Sequence, residues 1–401
     1  MKMKYLSLAI LLTAGIGLGA CSDDRIATSS ITPGLSVSNQ IEGLAITSGE
    51  YTFKEVNTGT ETKVSYGSLP FELNDGLYNV TFIGKGKYAY NAENVEVNIQ
   101  GTQQNVQVSG GSCNLSIPVY VQNSGADFVI AEIFGIGTLT PENKQYNGDQ
   151  YIRIYNNSDK TLYADGLALL ESKFMTTSKY NYTPDIMNEA FAVQVVAVVP
   201  GNGQEHPVEP GQSIILCDNA MNHKEANPNS IDLSKADFEW YTQSTSSSNP
   251  DMDNPDVPNL EMYYNYTKSI WLLAKKGNRA YAIGRIPSSV GKDNYIKDYV
   301  YKYTYMINEG LSSKEQTCYQ FPNEWIIDAV NIGPVNSYVW NITAPVLDMG
   351  HTYFGETDAT TENAGKSIVR KVAYKDGDRE VLQDTNNSSI DFTPSTSPSI
   401  K

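Results

Sequence analysis

The chain contains 401 residues, which is enough for roughly two or three domains of ordinary size. Charged residues make up 18% and hydrophobic residues 40% of the sequence, and this balance excludes both a disordered chain and a membrane-embedded bundle. The net charge of −16 argues against nucleic acid as a partner, because phosphate binding needs clustered basic side chains. The 27 tyrosines, 31 glycines and 18 prolines favour strands and turns, so the composition predicts an all-β, β-rich protein.

Residues 1–20 have the features of a secretory signal, with Lys2 and Lys4 ahead of a short apolar segment. That segment is shorter than the roughly 20 residues of a membrane span. The letters LGAC at residues 18–21 resemble a bacterial lipobox, and this resemblance implies that Cys21 becomes a lipidated N-terminus anchored in outer-membrane lipid. Each buried CH₂ of an acyl chain contributes about 0.8 kcal/mol to such anchoring. An ordinary signal peptide with an incidental cysteine is the alternative.

Ser22, Asp23 and Asp24 directly follow the predicted lipid cysteine. Acidic residues at this place resemble the surface-export signal of Bacteroidetes lipoproteins, which implies an outer-membrane location facing the cell exterior. Residues 21–34 are polar and contain no apolar run, so we expect them to form a tether between the membrane and the first domain.

Residues 35–124 show short runs in which apolar and polar side chains alternate, as in Tyr78, Val80 and Phe82. Period two with one apolar face is typical of packed antiparallel sheets. Turn signals separate the runs at residues 74–76, 84–86 and 110–111. The stretch 73–80 resembles the turn into a strand of transthyretin-like or carboxypeptidase-regulatory-like domains, and this resemblance implies a β-sandwich.

Residues 125–401 carry an ordered series of segments that resembles the lamin-tail domain. The series consists of 128–134, 148–158, 162–169, 210–216, a hairpin of 269–277 with 279–286, then 325–330, 365–370 and 384–398. The resemblance implies a second β-sandwich. It implies no reaction, because a fold does not determine a function.

Three segments, 172–208, 218–268 and 287–324, have no place in a compact lamin-tail sandwich, so we interpret them as long insertions. Loops on a rigid β scaffold usually carry binding. We therefore expect function to reside in these insertions.

Four tyrosines, Tyr299, Tyr301, Tyr303 and Tyr305, follow one another at spacing two. On a strand they share one face, where they could stack on sugar rings or contact a partner protein, since tyrosine combines a flat apolar ring with a hydroxyl. The opposite face is mixed, which favours a strand near a sheet edge. We predict a ligand-binding row in which Tyr301 or Tyr303 is exposed; packing beneath the insertions is the alternative.

Asp251, Asp253 and Asp256 lie close together in a loop rich in Ser, Asn and Pro. Oxygen clusters of this kind can hold Ca²⁺, although Pro255 interrupts the usual pattern and a solvated acidic loop is the alternative. The turn at 384–388 is interpreted as structural, because its residues are turn formers.

The remaining cysteines, Cys113, Cys217 and Cys318, cannot all pair within one chain. We expect buried, unpaired thiols, with a Cys217–Cys318 pair left open. The three histidines stand apart, and the sequence contains no metalloprotease, nucleophile-elbow or phosphate-loop motif. The sequence therefore predicts no enzyme and no cofactor.

The sequence leaves three candidate functions open. The first is a non-catalytic surface lipoprotein that resembles the accessory proteins of TonB-dependent, SusC/SusD-like outer-membrane importers and binds the nutrient or caps the transporter. The second is a structural or adhesive surface protein. The third is a secreted hydrolase with an unrecognised acidic active site, for which a pocket holding several carboxylates with raised pKa values would be the evidence.

Replacing the predicted lipid cysteine tests the anchor. Cys21→Ala is expected to release the protein from the membrane fraction, because no second anchor is evident in the sequence. The measurement is fractionation of cells followed by immunoblotting, and retention of the variant after a high-salt wash would contradict the prediction.

Overall fold

The computed structural model describes residues 27–37, 44–68, 70–90, 93–122, 127–244, 250–267, 269–344, 347–384 and 386–401. Strands dominate it and helices are short, so the predicted all-β fold class is confirmed. Within these ranges, none of the helices combines the length and hydrophobicity needed to cross a bilayer.

The N-terminal strands form a single seven-stranded sheet in the order β3-β2-β5-β6-β7-β1-β4. Neighbouring strands are antiparallel except β1 and β7, which are parallel. The strands are β1 (Thr28–Val37), β2 (Ala45–Glu55), β3 (Glu61–Ser65), β4 (Phe71–Asn74), β5 (Gly76–Tyr90), β6 (Glu93–Val108) and β7 (Ser112–Gln122).

The predicted alternation in this region is confirmed, because Tyr78, Val80 and Phe82 are all buried in one hydrophobic core. The turn expected at residues 84–86 is wrong: these residues lie inside β5. A Cβ on Gly84 would come within 2.4 Å of the carbonyl oxygen of Ser48, so glycine here permits close approach of two strands, and it makes no turn.

Strand β1 begins at Thr28, inside the segment that the sequence assigns to the tether. Residues 30–37 pair with residues 112–119 of β7 over eight successive positions, which is more backbone pairing than a free linker makes. The next strand after β7, which ends at Gln122, begins at Phe128.

The C-terminal part contains the remaining strands and helices of the described residues. Its strands up to residue 239 are β8 (Phe128–Phe134), β9 (Thr138–Leu139), β10 (Gln145–Tyr146), β11 (Tyr151–Asn156), β12 (Leu162–Tyr163), β13 (Leu167–Ser172), β14 (Tyr182–Thr183), β15 (Ala190–Val198), β16 (Pro207–Val208), β17 (Ser213–Cys217) and β18 (Phe238–Glu239). The later strands are β19 (Glu261–Asn265), β20 (Ala280–Arg285), β21 (Val300–Asn308), β22 (Leu311–Ser312), β23 (Gln316–Pro322), β24 (Ile326–Asn331), β25 (Ser367–Arg370), β26 (Val372–Asp376), β27 (Arg379–Leu382) and β28 (Phe392–Thr396). The helices are α1 (Gly291–Asp298), α2 (Thr360–Asn363) and α3 (Ser388–Asp391), with 3₁₀ turns at His223–Glu225 and Asn323–Trp325.

Two large sheets make a sandwich. One has six strands in the order β18-β17-β11-β8-β25-β28, and the other has nine, seven of them in the order β14-β21-β23-β15-β13-β20-β24. A shared core joins them, with Ile130 and Ile152 from the first sheet in one cluster with Leu169, Val195 and other residues of the second. Apolar faces buried between two sheets are what stabilises a sandwich.

The nine-stranded sheet is buried on both faces at its centre. All nine residues of β15 and all six of β13 are buried. One side of these strands packs in the sandwich core, and the other side contributes to a second cluster that contains Leu170, Phe191 and Tyr295 of α1. Continuous burial explains why β15 is apolar at every position except Gln194, whose side chain donates to buried Glu171.

The structure corrects two expectations about this part. Strands occur at eight of the nine predicted segments, as β8, β11, β13, β17, β20, β24, β25 and β28. The hairpin is wrong in its first arm, because residues 269–277 form no strand while β20 pairs with β13 and β24. The segment 172–208 is not simply an insertion of loops, since it contains the central strand β15.

A buried arginine ties the C-terminal segment to the sandwich. The Arg370 guanidinium contacts the carboxylates of Asp328 at 2.5 Å, Asp384 at 3.3 Å and Asp391 at 3.7 Å. Arg370 Nε also donates to the carbonyl oxygen of Ile130. Asp384, in the turn at 384–388, therefore has the structural role that the sequence predicts.

Arg370→Ala is expected to lower the free energy of unfolding by about 3–5 kcal/mol, because it leaves buried carboxylates without their cation. Urea denaturation followed by tryptophan fluorescence measures this, since all four tryptophans lie beyond residue 127. Lys297→Ala, which removes a highly exposed charge, is the matched control. Equal urea midpoints for the two variants would contradict the structural role of Arg370.

Candidate functional site: an aromatic surface beside a polar groove

The tyrosine row lies next to the edge of the nine-stranded sheet, as its mixed second face predicts. Strand β21 pairs with β23 on one side and with the two-residue strand β14 on the other. On its second face Val300, Lys302 and Met306 are exposed.

The expectation that Tyr301 or Tyr303 is exposed is wrong. Their side chains are 3% and 5% exposed and belong to a cluster with Ala192 and Cys318. The two rings stack with centroids 4.9 Å apart, and the Tyr301 hydroxyl donates to the carbonyl oxygen of Pro184 at 2.5 Å. The segment around residue 184 covers them, so these two tyrosines pack beneath an insertion.

Tyr299 does not share their environment. It lies just before β21, where its amide donates to the carbonyl oxygen of Tyr295 at the end of α1. Its ring packs against Tyr295 and Trp325. The row is thus divided among a helix end, a buried pair and Tyr305, which is half-buried at the margin.

Tyr305 joins a group of rings that we call the aromatic surface. Its members are Phe174, Tyr180, Tyr182, Tyr305 and Trp340. Tyr182 contacts Phe174 and Trp340, with ring centroids 3.8 Å and 6.1 Å away, and Phe174 and Trp340 are 6.3 Å apart. Tyr180 contacts Tyr305 at 4.9 Å and is 43% exposed.

A groove of about 670 Å³ opens beside Tyr180. Met175 and Tyr180 give it an apolar wall, and an ion pair between Lys276 and Asp358, 2.9 Å apart, lies on its rim. Hydroxyl and amide side chains provide the rest of the lining, namely Thr177, Ser178, Asn278, Asn336, Ser337 and Thr357. A concave site with a few placed polar groups is the usual form of a small-ligand site.

Hydrogen bonds fix the groove wall in place. The Trp340 indole Nε1 donates to the carbonyl oxygens of Met175 and Ser178, at 2.9 and 3.0 Å. Thr176 donates through Oγ1 to the carbonyl oxygen of Ile332 at 2.7 Å. A wall held this way loses little freedom on binding, and such preorganisation improves affinity.

Sequence reasoning missed Phe174, Tyr180, Tyr182 and Trp340. Tyr180 and Tyr182 carry the same spacing of two that marked the row at 299–305, so that signal was present. Nothing local predicts that β14 pairs with β21 and sets Tyr182 opposite Tyr305.

The three acids of the predicted calcium loop bind their own chain or face solvent. Asp251 accepts from the amides of Thr242 and Met252, and Asp253 accepts from the side-chain amide of Asn259. Asp256 is exposed. Calcium at this loop stays a prediction, and these contacts lend it no support.

Within the described ranges, one set of carboxylate and imidazole ligand atoms, from Asp165, Glu205 and His206, comes within 4.8 Å of one another. Asp165 already accepts the backbone amides of Gly203, Glu205 and His206, at 3.2, 2.8 and 2.8 Å. These bonds use the carboxylate to hold a loop, which is a structural role.

Buried carboxylates with raised pKa values also have structural partners. Burial, followed by the negative charge of Asp251, raises the pKa of Asp218 well above its usual range. Asp218 is 2% exposed and accepts from the indole of Trp240 and the amide of Asn219. Burial also raises the pKa of Glu239, which accepts the amides of Ala220 and Asn254. These groups lend no support to a hydrolase.

The expectation of buried, unpaired thiols is confirmed for Cys217 and Cys318 but only in part for Cys113, which is a free thiol. Cys217 and Cys318 are buried, whereas Cys113 is half-buried. Cys21, Ser22, Asp23 and Asp24 lie outside the described residues.

Paired substitutions test the division between packed and exposed tyrosines. Tyr301→Ala is expected to cost about 3–5 kcal/mol of stability, as truncations of large buried aromatic side chains do. Tyr180→Ala is expected to stay within about 0.5 kcal/mol of the wild type, as surface substitutions usually do. Thermal and urea unfolding measure both, and equal losses in the two variants would contradict the assignment.

The comparisons with known proteins address the fold. Residues 209–399 match the family model described as a protein of unknown function, DUF4876. The crystal structure of a DUF4876 family protein from Bacteroides thetaiotaomicron has a TM-score of 0.60 and 24% identity, covering 92% of this chain and 96% of that one. A candidate cell adhesion protein from Bacteroides eggerthii has a TM-score of 0.16 and 8% identity, over 77% and 83% of the two chains. No curated protein matches the chain. The chain is therefore similar in its overall fold to a solved DUF4876 protein, and the lamin-tail and transthyretin-like resemblances stay predictions.

Proposed function

We propose that the protein is a non-catalytic, lipid-anchored protein of the outer-membrane surface that serves as an accessory ligand-binding subunit of a TonB-dependent importer. The observation that carries the proposal is an exposed apolar patch next to the groove. Its members are Tyr180, Tyr305, Met306, Ile307 and Leu311, and we call it the hairpin patch. A protein that both holds a ligand and contacts a transporter needs two such adjoining surfaces.

The hairpin patch extends over both faces of the β21–β22 hairpin, with Tyr305 and Ile307 on one face of β21 and Met306 on the other. Tyr180 contacts Tyr305, the amide of Met306 donates to the carbonyl oxygen of Asn181, and β22 pairs with the end of β21. Ile307 and Leu311 are 52% and 51% exposed. Single exposed apolar residues are ordinary, but several exposed apolar side chains on one hairpin indicate an interaction site.

The sequence supports a location on the outer-membrane surface. The lipobox-like residues 18–21 and the acidic pair Asp23 and Asp24 resemble the leader of a surface-exported lipoprotein. Lipid insertion through Cys21 would keep the body near the importers of the same membrane. Confinement to one membrane raises the effective concentration of a partner, so a modest patch suffices for a complex.

The buried acids support a non-catalytic role. The carboxylates whose pKa values burial raises, such as Asp149, Asp218 and Glu239, have hydrogen-bond partners within the protein. Burial also raises the pKa of the Cys217 thiol, which disfavours the nucleophilic thiolate. The polar groups of the groove are neutral amides and hydroxyls plus one ion pair, which suits recognition better than bond cleavage.

Ile307→Asp is expected to abolish co-purification of a TonB-dependent barrel from detergent-solubilised outer membranes, because it puts a charge into an apolar contact. The matched control is Val56→Asp, at an exposed apolar position of the N-terminal sheet region, and it should retain the barrel. Both variants should keep the wild-type melting temperature. A wild-type preparation that brings no such barrel, or equal retention by both variants, would contradict the proposal.

A further inference from the structure

We infer that the groove beside Tyr180 binds a neutral oligosaccharide. This inference rests on the proposed ligand-binding role and adds the chemical class of the ligand. The groove has a volume of about 670 Å³, which lies within the range of small-ligand sites. It is open to solvent along the exposed ring of Tyr180.

The lining matches the two kinds of surface on a sugar ring. A pyranose has an apolar face of C–H groups and a periphery of hydroxyls. The ring of Tyr180 and the thioether of Met175 supply an apolar wall. Tyrosine is suited to this contact because it offers a flat ring together with a polar tip.

The polar lining has the donor and acceptor balance that hydroxyls require. Asn278 and Asn336 each carry both a donor and an acceptor group, and Ser178 and Ser337 carry hydroxyls that do both. A sugar hydroxyl likewise donates and accepts. Side chains of this kind bind neutral polar ligands without the desolvation cost of an unpaired charge.

The charges argue against an ionic ligand. Lys276 and Asp358 on the groove rim neutralise each other at 2.9 Å. The chain as a whole carries a net charge of −16, which repels anions at long range. A phosphorylated or uronic-acid ligand would therefore find neither a free cation in the lining nor a favourable field.

The walls are held before any ligand arrives. Trp340 Nε1 holds the carbonyl oxygens of Met175 and Ser178, and the amide of Val339 donates to the carbonyl oxygen of Thr176 at 2.9 Å. The Asn278 side chain donates to Thr177 Oγ1 at 3.3 Å. Trp340 thus touches the groove wall from behind and provides a fluorescent reporter of binding.

The test uses the full-length chain carrying Cys21→Ala, which is expected to be soluble. Neutral hexasaccharides of glucose, mannose, galactose and xylose are titrated separately, with hexagalacturonate as the anionic comparator, by calorimetry and tryptophan fluorescence. At least one neutral hexasaccharide is expected to bind. Tyr180→Ala should weaken that binding about 3- to 10-fold, which corresponds to the loss of one aromatic contact. The control variant Tyr163→Ala, at an exposed tyrosine outside the groove, should bind with wild-type affinity.

Failure to bind any of the neutral hexasaccharides, binding of hexagalacturonate alone, or equal affinities of Tyr180→Ala and Tyr163→Ala would overturn the inference. The melting temperature of Tyr180→Ala shows that a loss is not due to unfolding. Because this test contains no membrane partner, its failure leaves the importer association tested by Ile307→Asp unaffected, and the reverse also holds.

Discussion

Burial of the nine-stranded sheet on both faces is the constraint on which the rest of the C-terminal part depends. Strands β13 and β15 bury every residue, so each face needs its own cover. The six-stranded sheet covers one face, while α1 and residues such as Phe321 and Ile342 contribute to the cluster on the other. The segments that looked like insertions therefore complete a core. The surface available for binding lies at the edge of the nine-stranded sheet, where these segments do not cover it.

That margin explains why one row of tyrosines has two roles. Tyr301 and Tyr303 pack beneath the segment around residue 184, whereas Tyr305 lies at the surface beside Tyr180. Ring-to-ring contacts continue from the buried pair through Tyr182 to Trp340. The aromatic surface is thus a continuation of the core, which gives it a rigid base, and rigid supports favour binding sites of defined shape.

Buried polar groups fix the chain ends and loops of the sandwich. Asp348 accepts the amides of Asn331 and Ser388 and the Ser388 hydroxyl, at 2.8, 2.7 and 2.6 Å. Arg370 likewise holds the segment that ends in α3, through ion pairs with Asp384 and Asp391. Such groups are costly to bury unless they are fully bonded, so their role is to specify one arrangement of loops around the sheets.

The sequence predicts the strands best where the pattern of apolar residues matches the burial, as in the first part of β5 and at β8 and β11. It fails at Gly84, where the turn preference of glycine yields to close strand packing. It also fails at β15, a strand that is apolar except for Gln194 and lies within a supposed insertion. The candidate site was predicted only in part: spacing marks Tyr305, but the approach of Tyr180, Tyr182 and Trp340 is a long-range contact that no local pattern encodes.

The central claim is that the hairpin patch contacts a TonB-dependent barrel in the outer membrane. Its most direct test is photo-crosslinking in living cells, with a photoreactive phenylalanine analogue replacing Ile307 and, in a parallel strain, Val56. The account predicts a crosslink from position 307 to a TonB-dependent barrel and none from position 56. No crosslink from position 307, or crosslinks to the same barrel from both positions, would contradict it.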